Sequence, residues 1–437
     1  MSSKTNKVAG ASSSSEQQKR EHDAPSTCKT SLTPKLRFPE FRDAAGWEES
    51  RLADICSKIT QGGTPDTSEP KFWGGSINWM TPAEMGKTES PFIDATTRTI
   101  TESGLDNCSS YLLPIYSVIL SVRAPIGSLA INTTPMAINQ GCKGLITGNT
   151  LSFSFLYYSL INSKARLIDL GAGNTFKELS GSALKSYEIG LPSPPEQQKI
   201  AACLSSVDEV IAAQARKLDA LKSHKKGLMQ ELFPREGETQ PRLRFPEFQD
   251  APEWGEKKLS SMVQLVSGTH LSPDQYGKEK GVPYFTGPSD FTNDIQSITK
   301  RTNESSGIAK ENDTLITVKG SGVGTIWYLT LFSIAMGRQL MAIRATDGVS
   351  RFVYQFLLTK KSRFGDLASG NLIPGLSRGD ILDLDAPITS TPEQQRVADC
   401  LTSLDNLISA QAQKLEALKT HKKGLMQQLF PSPEEEV

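Results

Sequence analysis

From Ile200 to Leu232 the apolar or seam positions step by four and three without a fault. The series runs Ile200, Leu204, Val207, Ile211, Gln214, Leu218, Leu221, Lys225, Leu228 and Leu232. That is a heptad seam, and it predicts a coiled-coil helix rather than an ordinary surface helix. The same seam recurs at Val397, Leu401, Leu404, Ile408, Gln411, Leu415, Leu418, Lys422, Leu425 and Leu429. Each helix opens on Pro-Glu, suited to a first turn, and stops at Phe-Pro. Acidic residues gather early and lysines late, which complements the helix dipole. At ~1.5 Å per residue each seam is roughly 50 Å long.

Two such seams predict that the helices pair with each other. Parallel, in-register pairing would set Lys225 against Lys422, a clash of like charges. Antiparallel pairing about a central dyad keeps Gln214 near Gln411 and brings each lysine toward Asp405 or Asp208 of the other helix. The pattern therefore favours antiparallel.

Elsewhere the pattern is mixed. Short β-rich runs (Ser117–Val122, Leu315–Val318, Leu340–Ile343) alternate with short helical stretches (Ser154–Ala165, Ser350–Lys361), separated by Gly, Pro and Ser. This predicts α+β domains with long surface loops. Met1–Ser31 lacks periodic apolar residues and reads as a disordered tail, and 432–437 reads as a solvated acidic tail. The expected organisation is a first globular domain at 32–193, a helix at 194–234, a linker and second domain at 235–390, and a helix at 391–431.

The chain is thus one unit written twice. Pro195–Pro234 and Pro392–Pro431 share 28 of 40 residues without a gap, and Leu36–Phe41 and Leu243–Phe248 are both LRFPEF. The segments between barely match. Faint echoes link Ser121–Gly127 to Thr317–Gly324, and Gly171–Leu179 to Ser369–Leu376. Internal pseudo-two-fold symmetry with dissimilar domains suits two different targets on a roughly two-fold ligand, and duplex DNA is the commonest such ligand.

Charge complicates that reading. Lys plus Arg equals Asp plus Glu at 48 each. Glu40–Ser193 holds 12 basic and 15 acidic residues, and Glu247–Ser390 holds 15 and 16. Any basic surface must be a local patch, or a partner must supply much of the phosphate grip. The six cysteines show no close pairing and read as buried free thiols in a reducing, cytoplasmic setting. No apolar run is long enough to span a bilayer.

Catalytic chemistry does not show itself. There is no phosphate-binding GxxxxGK[ST] and no DPPY- or NPPF-type methyltransferase motif; Ser193–Glu196 (SPPE) only superficially resembles one. Lys319–Gly324 (KGSGVG) lacks the spacing and βαβ context of a cofactor loop and reads as a turn. Pro273–Lys280 sets its carboxylates too close together for a nuclease. The four histidines make no metal spacing. By elimination this is a binding and positioning protein.

The twice-occurring PEQQ helix, the LRFPEF lead-ins, Gly62–Gly75 (GGTPDTSEPKFWGG), Ile77–Met80 (INWM) and Ala137–Ile146 (AINQGCKGLI) together resemble the specificity subunits of type I restriction-modification systems. The resemblance covers nearly everything from Leu36 to Phe430. It weakens in the second domain, where Gly268–Pro273 (GTHLSP) replaces GGTPDTSEP. It implies two target recognition domains, each reading half of an interrupted DNA sequence, separated by two long helices that form an antiparallel spacer. It also implies partners: double-stranded DNA, two methyltransferase subunits and motor-nuclease subunits. Those subunits would bind S-adenosylmethionine, ATP and Mg, leaving this chain with no cofactor, metal or active site. The alternative is a coiled-coil scaffold presenting two domains for ligands other than DNA. Loop residues with the donors and acceptors used for base edges and phosphates are Gln61, Thr64, Arg123, Asn139, Gln140 and Lys143 in the first domain, and Thr269, His270, Lys319, Arg338 and Gln339 in the second.

Overall fold

The computed structural model describes residues 32–86, 90–123, 125–172, 178–235, 237–304, 307–320, 322–369 and 375–431. Both expected tails lie outside them, as do Cys28, Ser321 and most of the echo between 171–179 and 369–376. The chain divides into two compact units, Met1–Ser205 with Gly424–Val437, and Ser206–Lys423. Sequence periodicity sets the helices apart as elements of their own. The two ends of each helix fall in different compact units, because both ends carry apolar residues that complete domain cores.

In the first unit, Val118–Ser121 is an unbroken buried run, as a strand covered on both faces must be. It lies inside a five-stranded sheet ordered Cys56–Gln61, Cys142–Thr147, Val118–Ser121, Leu129–Asn132, Phe92–Ile93. Trp73–Met80 centres a three-stranded sheet, antiparallel to Thr99–Ile100 and parallel to Met136–Ile138. Helix Phe153–Asn162 starts at Ser152, whose hydroxyl accepts from the Phe155 N–H, and is followed by Lys164–Ala172. Glu48–Arg51 pairs with Glu188–Leu191 and brings the start of the domain to its end.

The second unit repeats this plan. Leu340–Ala345 and Thr314–Thr317 are the inner strands of a four-stranded sheet, Val282–Phe285 pairs parallel with Ser333–Met336, and Gly255–Lys258 pairs with Asp385–Ile388. Helices Ser350–Thr359 and Lys361–Ser369 follow.

The shared sequence blocks now have a physical role. In the first unit Arg37 donates two hydrogen bonds to Glu196, each 2.7 Å, and two more to the Ala44 and Ala45 carbonyls. In the second, Arg244 reaches Glu393 at 2.7 and 2.8 Å and the Ala251 and Pro252 carbonyls. Burial pushes the Glu393 carboxyl up, but hydrogen bonds from Arg244 and Thr389 outweigh it and hold it below the usual range. The next residue, Gln197, accepts from the Ser152 N–H at 2.9 Å, and Gln394 accepts from Val349 N–H at 3.0 Å. PEQQ therefore locks the helix start both to LRFPEF and to the preceding domain.

The helix ends act as plugs. In the first unit Phe430 packs against Trp47 and Phe155, with ring centroids 6.0 and 5.5 Å away. In the second, Phe233 lies 5.1 Å from Phe352, which is 5.9 Å from Trp254. Each domain's core is closed by the last turn of the other copy's helix.

The long helices span Pro194–Leu232 and Thr391–Leu429. Within the second unit their central stretches pair antiparallel. Gln214 donates to Gln411 at 2.5 Å, Lys225 reaches Asp405 at 2.6 Å, and Lys422 reaches Asp208 at 2.5 Å. Ile211, Leu218 and Leu415 are buried there, packed with Val207, Ile408 and Leu418. Outward along the seam, Ile200 and Leu204 join Leu425 and Leu429 in the first unit's core. Leu228 and Leu232 join Val397 and Leu401 in the second. Leu221 and Leu404 are half-buried.

Candidate nucleic-acid interface

The two units present the same loop frame, and backbone hydrogen bonds fix the equivalence residue by residue. Gly62 N donates to Cys142 O and Gly63 N to Ile138 O; Gly268 N donates to Leu340 O and Thr269 N to Met336 O. Asn139 N donates to Met80 O, as Gly337 N does to Phe285 O. Val122 N donates to Gly141 O, as Val318 N does to Gln339 O. Hence Arg123 corresponds to Lys319, Gln140 to Arg338, and Thr64 to His270. The Gly common to GGTP and GTHL is sterically required. A Cβ on Gly62 would lie 1.8 Å from Asn139 O, and one on Gly268 would lie 2.1 Å from Gly337 O. The faint echo of Ser121–Gly127 in Thr317–Gly324 is thus a true correspondence, with Gly127 and Gly324 both at positive φ.

In the first unit many candidate polar groups hold the frame itself. Lys143 is buried, donates to Gln61 Oε1 at 2.9 Å, and has its pKa lowered by burial. It braces Gln61 beneath the loop. Thr64 bonds to Gln140, and Asn139 Oδ1 accepts from the Gly141 N–H at 2.9 Å. Gln61 and Gln140 keep exposed surface, and Arg123 is half-buried with its Nε beside Gly141. In the second unit Thr269, His270, Lys319, Arg338 and Gln339 are all exposed. Gln339 stands where the first unit has Gly141, and its amide lies against Gly287 and Gly320.

Arg98 was not evident from sequence. Its guanidinium lies 3.8 Å from the Trp73 ring and 5.2 Å from Trp79. Trp79 Nε1 in turn donates to Gly63 O at 3.0 Å, next to Thr64. Arg98 is exposed, and stacking fixes its plane while leaving its N–H edge outward. Trp79 N donates to Arg98 O and Tyr284 N to Lys300 O, so Lys300 is the counterpart. Lys300 is neutralised: it bonds to both Asp290 oxygens at 3.0 Å and to Thr286 at 2.9 Å. Burial pushes the Asp290 carboxyl up, and hydrogen bonds from Thr286 and Lys300 hold it down. The only sequence signal for Arg98 was two tryptophans six residues apart, and that spacing does not say which cation reaches them.

Of the cysteines, Cys56 and Cys142 are buried, and burial pushes both thiols up to about 12, so they stay protonated. Cys108, Cys203 and Cys400 are only partly buried, short of the expected burial, because the last two lie on the flanks of the long helices. Among the described residues no His, Cys, Asp and Glu side chains cluster as a metal site, and no helix is long and apolar enough to cross a membrane.

The type I restriction modification DNA specificity domain matches residues 45–223 and 252–420, one copy in each half of the chain. The chain belongs to this family. Recognition of DNA sequence is therefore its task. It is 34% identical to the MjaIX specificity subunit of Methanocaldococcus jannaschii over 54% of this chain and 56% of that protein. It is 26% identical to the MjaX specificity subunit of the same organism, over 88% and 92%. It is 30% identical to the EcoR124I/EcoR124II specificity subunit of Escherichia coli, over 40% and 45%. Among solved structures, the S subunit from M. genitalium superposes with TM-score 0.60 at 17% identity, over 92% of this chain and all of that one. A second, from a study of type I complex assembly, gives TM-score 0.55 at 19% identity over 89% and 98%. At such identities the likeness is one of fold.

Proposed function

We propose that each unit reads one half of an interrupted duplex site, and that the chain positions adenine methyltransferase and motor-nuclease subunits rather than performing chemistry itself. The observation that carries this is the shared frame: the same glycine, the same four loop junctions and the same helix lock, furnished with different side chains. A scaffold that is repeated while its tips diverge suits two independent reads. Base edges are met by the exposed loop residues, and phosphates by flexible cations around them. S-adenosylmethionine, ATP and Mg belong in this reading to the partner subunits, which the chain meets in the cytoplasm.

Domain exchange tests it. Replacing 247–390 with the same segment of a relative, and sequencing the methylated sites, should change one half-site and leave the other. Both halves changing together would refute independent reading. Methyl transfer by the chain in isolation would refute the non-catalytic role.

A further inference from the structure

The second unit carries a groove of about 1130 Å³ between the last turns of helix Pro194–Leu232 and the junction of helices Ser350–Thr359 and Lys361–Ser369. Its rim is Lys222, Lys226, Arg235, Lys360, Lys361 and Arg363, and none of its described lining residues is acidic. Lys222 pairs with Asp219 one turn back on its helix, and Arg235, just beyond the helix end, pairs with Glu231. Lys225, deeper in the groove, is held by Asp405. No described carboxylate pairs with Lys226, Lys360, Lys361 or Arg363. In a chain whose charges balance overall, four cations without a carboxylate partner on one groove make a local positive field, with Lys360 also over the Phe356 ring and the acidic Glu238, Glu256 and Asp385 set apart in an adjoining cavity.

We propose that this groove holds the phosphate backbone of the DNA whose bases the second unit reads. The proposal rests on the DNA-reading role above. Two observations favour a polyanion over a protein. The charged groups on the rim are all cationic, with Met229 and Leu358 half-buried between them. A lysine-rich rim without acidic residues is unlike a protein–protein interface core, where lysine is depleted. One wall of the groove also touches the reading frame. A Cβ on Gly324, in the turn after Lys319, would lie 3.2 Å from Phe364 of the helix that carries Lys361 and Arg363. The wall that presents the cations thus also supports a candidate reading loop. Flexible ammonium stems position a duplex without reading it, which is how phosphate contacts act. The groove would supply the local basic patch that the chain's neutral composition requires.

The test measures binding of the full chain, with its methyltransferase subunits, to a duplex bearing its site and to a mixed-sequence duplex across a salt series. The quadruple variant Lys226→Gln, Lys360→Gln, Lys361→Gln, Arg363→Gln should weaken both duplexes alike and leave site preference intact. The slope of log affinity against log salt should flatten by about 0.9 for each phosphate contact removed. The exposed pair Lys361→Gln, Arg363→Gln should show half the effect, and serves if the quadruple variant folds poorly by thermal unfolding. An unchanged slope with site preference retained would overturn the groove assignment alone. Failure of the variant to assemble with methyltransferase, with that slope unchanged, would assign the groove to an acidic protein surface. A wild-type chain with no preference between the duplexes would instead overturn the DNA reading itself.

Discussion

Arg244 and Glu393 tie the start of the second domain to the start of its helix, and removing either leaves a buried charge uncompensated. Arg244→Met should lower the second unit's stability by about 3–5 kcal/mol, seen as an earlier urea transition. Its pH dependence follows from the depressed Glu393 carboxyl. The contribution is complete above the unfolded-state value near ~4.3 and is lost as pH falls through the lower folded value. Glu393→Gln should therefore flatten the acid limb of the second unit's stability. An acid limb as steep as wild type would place the effect elsewhere. Arg98 supports a different experiment. If its stacked guanidinium meets DNA, Arg98→Ala should weaken site binding by about 1–3 kcal/mol. Lys300→Ala, which leaves the half-buried Asp290 without its cation, should cost stability rather than affinity. The sequence could not announce this contrast. Arg98 reaches its tryptophans only because Thr99–Ile100 pairs with Trp73–Met80, and Lys300 is silenced by an aspartate ten residues upstream.

The long helices were legible as elements because a heptad states its own period, and Gln214, Lys225 and Asp208 state an orientation. The strands were less so. Val118–Ser121, Thr314–Thr317 and Leu340–Ala345 stand out as apolar runs. Near partners such as Leu129–Asn132 and Ile326–Tyr328 are shorter or more polar, Leu340–Ala345 also pairs with the distant Val263–Ser267, and the parallel pairing of Trp73–Met80 with Met136–Ile138 leaves no local trace. The reading frame was legible only in outline, since one glycine and a turn survive between GGTP and GTHL. The helix pair yields a prediction of its own. Lys225→Asp sets two carboxylates face to face and should cost about 2 kcal/mol. Adding Asp405→Lys should recover most of it in thermal unfolding. No recovery would mean that the Lys–Asp pairs do not help to fix the orientation.

For the molecule as a whole, the main constraint is that the first core is finished only by a distant stretch of the chain, whereas the second lies within one continuous segment. A chain stopped after Lys423 would lack Met426, Leu429 and Phe430 beneath Trp47 and Phe155. Limited proteolysis should then open the first unit while sparing the second. Phe430→Ala is the milder form, at about 3–5 kcal/mol. Equal resistance of both units in the shortened chain would deny the plug its role.

The plug also gives the two units different histories on the ribosome. The second unit's Phe233 is translated before the domain it closes, so that core is complete once Leu401 has emerged. The first unit's strands and helix start are made by Ser205, yet their plug lies beyond Gly424. At about 5–20 residues per second the nascent first core stands open for about 10–40 s. During that interval the chain emits Leu232–Pro234, the same Leu-Phe-Pro that the open socket awaits. The duplication that gives the chain two reading heads thus also gives it one ambiguous step in folding.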